Sequence, residues 1–209
     1  MVVQKTRAPA PLAASDSGVS LDEMIQAHLV AVASFRELVP EIEYLATEIT
    51  SRLARGGIVY TFGNGGSAAD AQHLTGELIG RFRRERRPLA SVALSTDPSV
   101  TTCIANDYGY DEVLARQINA LAGADDVLVV FSTTGRSRSV LKGIAAARGR
   151  GALTILLTGS RPPADANLAD HVLRVASPDT QRVQEVHVLM LHLLSEAIDR
   201  WAAESGGDR

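Results

Sequence analysis

The chain has 209 residues, 45% of them hydrophobic and 22% charged, with a formal net charge of −3. That length suits one domain with a sizeable core, and the slight acidity argues against a generally basic nucleic-acid binder. A single cysteine, Cys103, excludes a disulfide framework or a cysteine zinc knuckle and fits a reducing cytoplasm, and no apolar run reaches the ~20 residues needed to cross a bilayer.

Residues 1–19 lack the continuous apolar segment of a signal peptide, and their Ala, Pro and Ser content predicts a disordered leader. A short tail, residues 205–209, is assigned the same way, leaving residues 20–204 as one domain opened by a helical hairpin. Ser20 and Glu23 have the spacing of a capping box, and apolar residues then recur at helical intervals through Phe35. A second helix is expected from about Pro40 to Leu53, stopped by Gly56-Gly57.

From there strands alternate with helices. Ile58–Phe62 reads as a strand, followed by Gly63-Asn64-Gly65-Gly66-Ser67 and a helix over about Ala68–Leu78. Ser91–Ser95 reads as a second strand, followed by a helical stretch to about Leu121. Val127–Phe131 is a third strand whose continuous apolar run predicts burial on both faces. Ser132–Ser137 then leads to a helix ending near Arg150. Leu153–Leu157 and His171–Val175 are the remaining strands, and a long helix from about Thr180 to Ala203 closes the pattern. Such alternation predicts an α/β fold: a five-stranded parallel sheet flanked by helices, in a flavodoxin-like three-layer sandwich. The run Arg81-Phe82-Arg83-Arg84-Glu85-Arg86-Arg87 reads either as a solvated helix end or as a draw for an anionic ligand.

Two loops fall at the carboxyl edge of the predicted sheet, where ligands bind in such folds. Gly63–Ser67 opens a helix without a Walker or G-x-G-x-x-G pattern, and Ser132-Thr133-Thr134-Gly135-Arg136-Ser137 adds four hydroxyl side chains. Glycines let a backbone approach a ligand, and a helix N-terminus favours an anion. Two such loops at one edge point to a phosphorylated small molecule.

GNGGSAADAQH (63–73) and FSTTGRS (131–137) resemble the two signatures of the sugar isomerase (SIS) fold. Leu94–Ile118 and RVQEVHVLMLH (182–192) narrow the resemblance to the phosphoheptose isomerase family, over about Leu21 to Trp201. It implies a cytoplasmic homotetramer with interface active sites. The implied reaction converts sedoheptulose 7-phosphate into D-glycero-D-manno-heptose 7-phosphate by enediol proton transfer, feeding nucleotide-activated heptose synthesis.

His73 and Glu77 share one helix face at i, i+4, a spacing that is equally that of a core histidine and a solvated glutamate. By resemblance, His73, Glu77, Gln184 and His192 hold Zn2+, and Glu77 and His192 are the catalytic acid–base pair. Asn64, Gly65, Gly66, Ser67, Ser132, Thr133, Thr134, Ser137 and Gln184 would contact the sugar phosphate, with Arg81 and Asp97 lining the site. Thr134 stands where serine is common, and Gln181 where some members are acidic. Gln184 and His192 lie about 12 Å apart along a straight helix. A shared ion therefore sits against the middle of that helix, or the ligands come from different chains. His187, about 140° around the helix from His192, is left to packing or support, and Arg136 and Arg138 to the surface. The alternatives are a non-catalytic SIS protein that binds a phosphosugar or a replication initiator, an isomerase of another ketose phosphate, or one with the opposite C2 configuration in its product.

Overall fold

The computed structural model describes residues 18–161 and 168–204. The leader and tail expectations fall largely on residues outside that range. Five strands form one parallel sheet in the order β2-β1-β3-β4-β5: β1 Val59–Gly63, β2 Ser91–Ala93, β3 Val127–Phe131, β4 Leu153–Thr158 and β5 His171–Arg174. The helices are α1 Leu21–Phe35, α2 Val39–Ala54, α3 Gly66–Ile79, α4 Pro98–Tyr108, α5 Val113–Leu121, α6 Arg138–Gly149 and α7 Thr180–Glu204.

The strand period of two explains the sandwich. Val127, Val129 and Phe131 of β3 join one core with α1, α2, α3 and α7, whereas Leu128 and Val130 join the opposite core with α4, α5 and α6. Every residue of β3 is buried, as its apolar run predicted. The capping box also forms, with Ser20 Oγ accepting from the Glu23 N–H at 3.1 Å.

One expectation is corrected. The helical stretch to Leu121 is two helices, because Gly109 adopts φ 89°, a conformation that cannot continue an α-helix. A short 3-10 turn at Tyr110–Glu112 then redirects the chain into α5. That break brings Tyr110 over the glycine loop.

The first helix is unusual in what it leaves uncovered. Leu21, Ile25, Leu29 and Val30 are all exposed, while α1 buries Ala31 and Phe35 alone. A groove lined by Leu21, Met24, Ile25, His28, Arg182 and Glu185 runs between α1 and α7.

Candidate active site

The two loops meet. A cavity of ≈ 140 Å³ is lined by Asn64, Ser67, Phe131, Ser132, Thr133, Thr134 and Ser137. Because β1 and β3 are neighbours in parallel register, both loops leave the sheet side by side at its carboxyl edge. The N-terminus of α3 faces this cavity, and its N-cap is Gly65, which brings no side chain to crowd it. Ser137 is the N-cap of α6 but spends no side-chain hydrogen bond on capping, so its hydroxyl is left to the cavity. Ser132 Oγ accepts from the Gly135 N–H at 3.2 Å and fixes the second loop. Apart from Phe131 the lining is hydroxyls, one amide and helix ends, a combination that suits a phosphate.

Sequence reasoning missed two residues that fix Asn64. Tyr110 Oη donates to Asn64 Oδ1 at 2.8 Å, and Asn64 Nδ2 donates to Ser139 Oγ at 3.1 Å. Nothing in the spacing of Tyr110 or Ser139 signals this, since both contacts depend on the Gly109 break and on the α6 position.

Gly63 permits the tight turn. A Cβ there would lie 2.1 Å from the Ser67 carbonyl oxygen, a backbone atom that cannot step aside. We expect Gly63→Ala to lower stability by roughly 1–3 kcal/mol and to abolish sugar-phosphate binding. Thermal melts and titration with a sugar phosphate check both effects.

About two turns further along α3 lies a second cluster. His73 Nε2 stands 3.1 Å from Glu77 Oε1 and 3.3 Å from His192 Nε2 of α7. The ligand atoms of these three residues all lie within 4.8 Å of one another. Phe82 covers His192, with ring centroids 5.6 Å apart. Burial pushes the His192 pKa down, His73 pushes it further down, and Glu77 opposes both. The net effect favours the neutral imidazole. The donor set fits a divalent cation such as zinc: with bonds of about 2.0–2.1 Å, two ligand atoms of a tetrahedral site lie about 3.3 Å apart. The two short contacts match that edge.

Gln184 stands elsewhere in the chain. Its amide packs on Gly66, where Nε2 would be 2.5 Å from a Cβ, so it belongs to the cradle end of the site. His73 is seven residues, about 10 Å, further along α3. A single chain brings His73, Glu77 and His192 together and packs Gln184 against Gly66 at the start of α3. Asp97 caps α4, its Oδ1 accepting from the Val100 N–H at 3.0 Å. Arg81 is exposed, 3.9 Å from Glu85, one residue before Phe82. Neither Arg81 nor Asp97 lines the cavity.

The basic run is partly spent on ion pairs within the fold. The Arg86 side chain is 1% exposed and its Nε donates at 2.9 Å to the Asp199 side chain of α7, which is 0% exposed. Asp199 also accepts from the N–H groups of Arg84 at 2.9 Å and Arg83 at 3.3 Å. Burial would raise the Asp199 pKa, but these hydrogen bonds outweigh it and hold the carboxyl below its usual value.

Comparison with known proteins agrees with this architecture. The SIS domain family matches residues 26–159. A phosphoheptose isomerase of Helicobacter pylori is 42% identical over 188 residues, which is 86% of this chain and 96% of that protein. A solved phosphoheptose isomerase from Francisella tularensis superposes with TM-score 0.82 at 33% identity, covering 86% of this chain and 96% of its own. The one from Neisseria gonorrhoeae gives TM-score 0.77 at 39% identity, covering 87% and 100%. By these matches, with the parallel sheet, the hydroxyl-lined cavity and the His/Glu/His cluster, the chain belongs to the phosphoheptose isomerase family of SIS-domain proteins.

Proposed function

We propose that the chain isomerises sedoheptulose 7-phosphate to D-glycero-D-manno-heptose 7-phosphate, the entry step of nucleotide-activated heptose synthesis. The observation that carries this reading is the pairing of a phosphate-sized polar cradle with an acid–base cluster about two helical turns away on α3. An extended sugar phosphate has its charged end and its reacting carbons separated in the same way. The phosphate rests among Ser67, Ser132, Thr133, Thr134 and Ser137. Asn64, the Gly65-Gly66 backbone and Gln184 meet the adjoining hydroxyls, and Arg81 and Asp97 stand at the margins.

Glu77 and His192 form the acid–base pair. One removes the proton from the hydroxymethyl carbon beside the ketone, and the enediolate is reprotonated at the neighbouring carbon. Each has an atom to spare: Glu77 Oε1 and His192 Nε2 face His73, leaving Glu77 Oε2 and His192 Nδ1 to move protons. His73, Glu77 and His192 would hold zinc, with Gln184 as the fourth residue of the set. Zinc, when bound, polarises the substrate oxygens and eases the build-up of negative charge on them. We place the reaction in the cytoplasm, where phosphorylated sugars are retained; among the described residues no helix is long and apolar enough to cross a membrane.

The uncovered face of α1 supports a homotetramer, because a contiguous apolar helix face calls for a cover. We expect Ile25→Asp combined with Leu29→Asp to shift the protein to smaller species by light scattering after gel filtration. Wild type that is already monomeric sinks this part of the reading.

The activity itself is tested by incubating purified protein with sedoheptulose 7-phosphate and identifying the product by NMR. Conversion to the manno-configured aldose is the expected result. No turnover of any ketose phosphate would favour a binding protein instead, and metal analysis of the same preparation tests zinc.

A further inference from the structure

Glu77 sits in the last turn of α3, where backbone carbonyls lack helical partners and helices fray. Here the Leu78 carbonyl also accepts from the Leu89 N–H at 3.1 Å, and one side chain reaches two of these carbonyls together. The Arg86 guanidinium donates to the Glu77 carbonyl at 2.6 Å and to the Leu78 carbonyl at 3.0 Å. Its Nε at the same time binds Asp199. Asp199 lies seven residues after His192, two turns along α7 and within about 20° of the same face. The carbonyl of one member of the acid–base pair is therefore tied to the helix that carries the other. The link runs through a planar cation that contact with solvent does not loosen.

We propose that Arg86 and Asp199 are positioning residues that set the spacing of Glu77 and His192 across α3 and α7. The role rests on the acid–base reading of Glu77 and His192. Neither residue touches substrate. Their contribution is to hold two side chains from different helices at the separation that proton transfer and metal ligation both require, where displacements of about 0.5 Å already matter. A lysine at position 86 keeps the charge but cannot reach the carboxylate and two carbonyls together.

The test compares Arg86→Lys, Asp199→Asn and, as a control for lost stability alone, Ile42→Ala in the α2 core. Kinetics on sedoheptulose 7-phosphate and zinc affinity by competition with a chromophoric chelator are measured on each folded protein. We expect kcat to fall at least tenfold in Arg86→Lys and Asp199→Asn with KM within twofold, and zinc affinity to fall about tenfold. Ile42→Ala should lose a comparable Tm and keep wild-type kcat and zinc affinity. If Arg86→Lys fails to fold, Asp199→Asn carries the comparison, since it keeps the shape and an acceptor for Arg83 and Arg84. Wild-type kcat and zinc affinity in the folded variants overturn the proposal, as do losses that Ile42→Ala reproduces. Wild type that binds zinc but does not turn over the sugar overturns the substrate reading, and the zinc comparison then decides the positioning role. Wild type that does neither overturns both.

Discussion

Glu77→Gln and His192→Gln each lower kcat on sedoheptulose 7-phosphate by roughly 10²–10⁴-fold, with the fold and the sugar-phosphate affinity retained. Both substitutions keep size and hydrogen-bonding capacity while removing the ability to cycle a proton. Neither residue lines the ≈ 140 Å³ cavity, so binding of the phosphate end should survive. Steady-state kinetics together with equilibrium binding of the sugar phosphate separates the two effects. Solvent-deuterium incorporation at C1 adds an independent check, because Glu77→Gln should slow exchange in step with turnover. Full activity in both variants would sink the assigned roles. Because these side chains also belong to the candidate metal set, the loss should not be restored by excess zinc: what is missing is a proton carrier.

Acid stability should depend on a residue outside the site. His187 of α7 is 0% exposed, packs against Phe131 with ring centroids 5.8 Å apart, and has no well-formed hydrogen bond at either ring nitrogen. Burial lowers its pKa to about 4, opposed by the Thr158 backbone. The folded protein therefore keeps His187 neutral over a range where the unfolded chain, at about 6.5, takes up a proton. The sign follows: with more protons bound by the unfolded state, stability falls as pH drops from about 6.5 to about 4, by about 3 kcal/mol in all. His187→Leu removes the titrating group and should flatten that window. Urea unfolding at fixed subunit concentration, at pH 7.5, 5.5 and 4.5, checks it. Identical slopes for variant and wild type would show that other groups carry the acid sensitivity. The Asp199 carboxyl is depressed instead, so its contribution is lost only below the usual aspartate value, in a separate and more acidic window.

Which parts of this molecule could be read from its sequence follows from how far apart the interacting residues are. The β3 run and the long α7 are set by local hydrophobic pattern, and the structure reproduces them within a residue or so. The convergence of Asn64 and Ser67 with Ser132–Ser137 follows from parallel topology, because two adjacent strands must deliver their following loops to the same edge. His73 and Glu77 were paired by helical spacing, but His192 joins them only through the packing of α3 on α7, 119 positions apart. The burial of the Arg86 side chain is hidden from the sequence for the same reason. Five arginines in seven residues look solvated until Asp199, 113 positions away, is placed beneath them. Gly109, at φ 89°, divides the helical stretch that runs to Leu121 into two helices.

The 25-residue α7 carries Gln184, His187, His192 and Asp199 on one uninterrupted rod. A single-residue insertion between Gln184 and Asp199 would turn everything beyond it by about 100° and advance it by about 1.5 Å. Cradle, buried histidine, acid–base cluster and clamp could not then all stay in register. Length variation in this chain should accordingly be tolerated at turns such as Gly109 and be almost forbidden within α7. Point substitutions on its solvent side should remain free to drift.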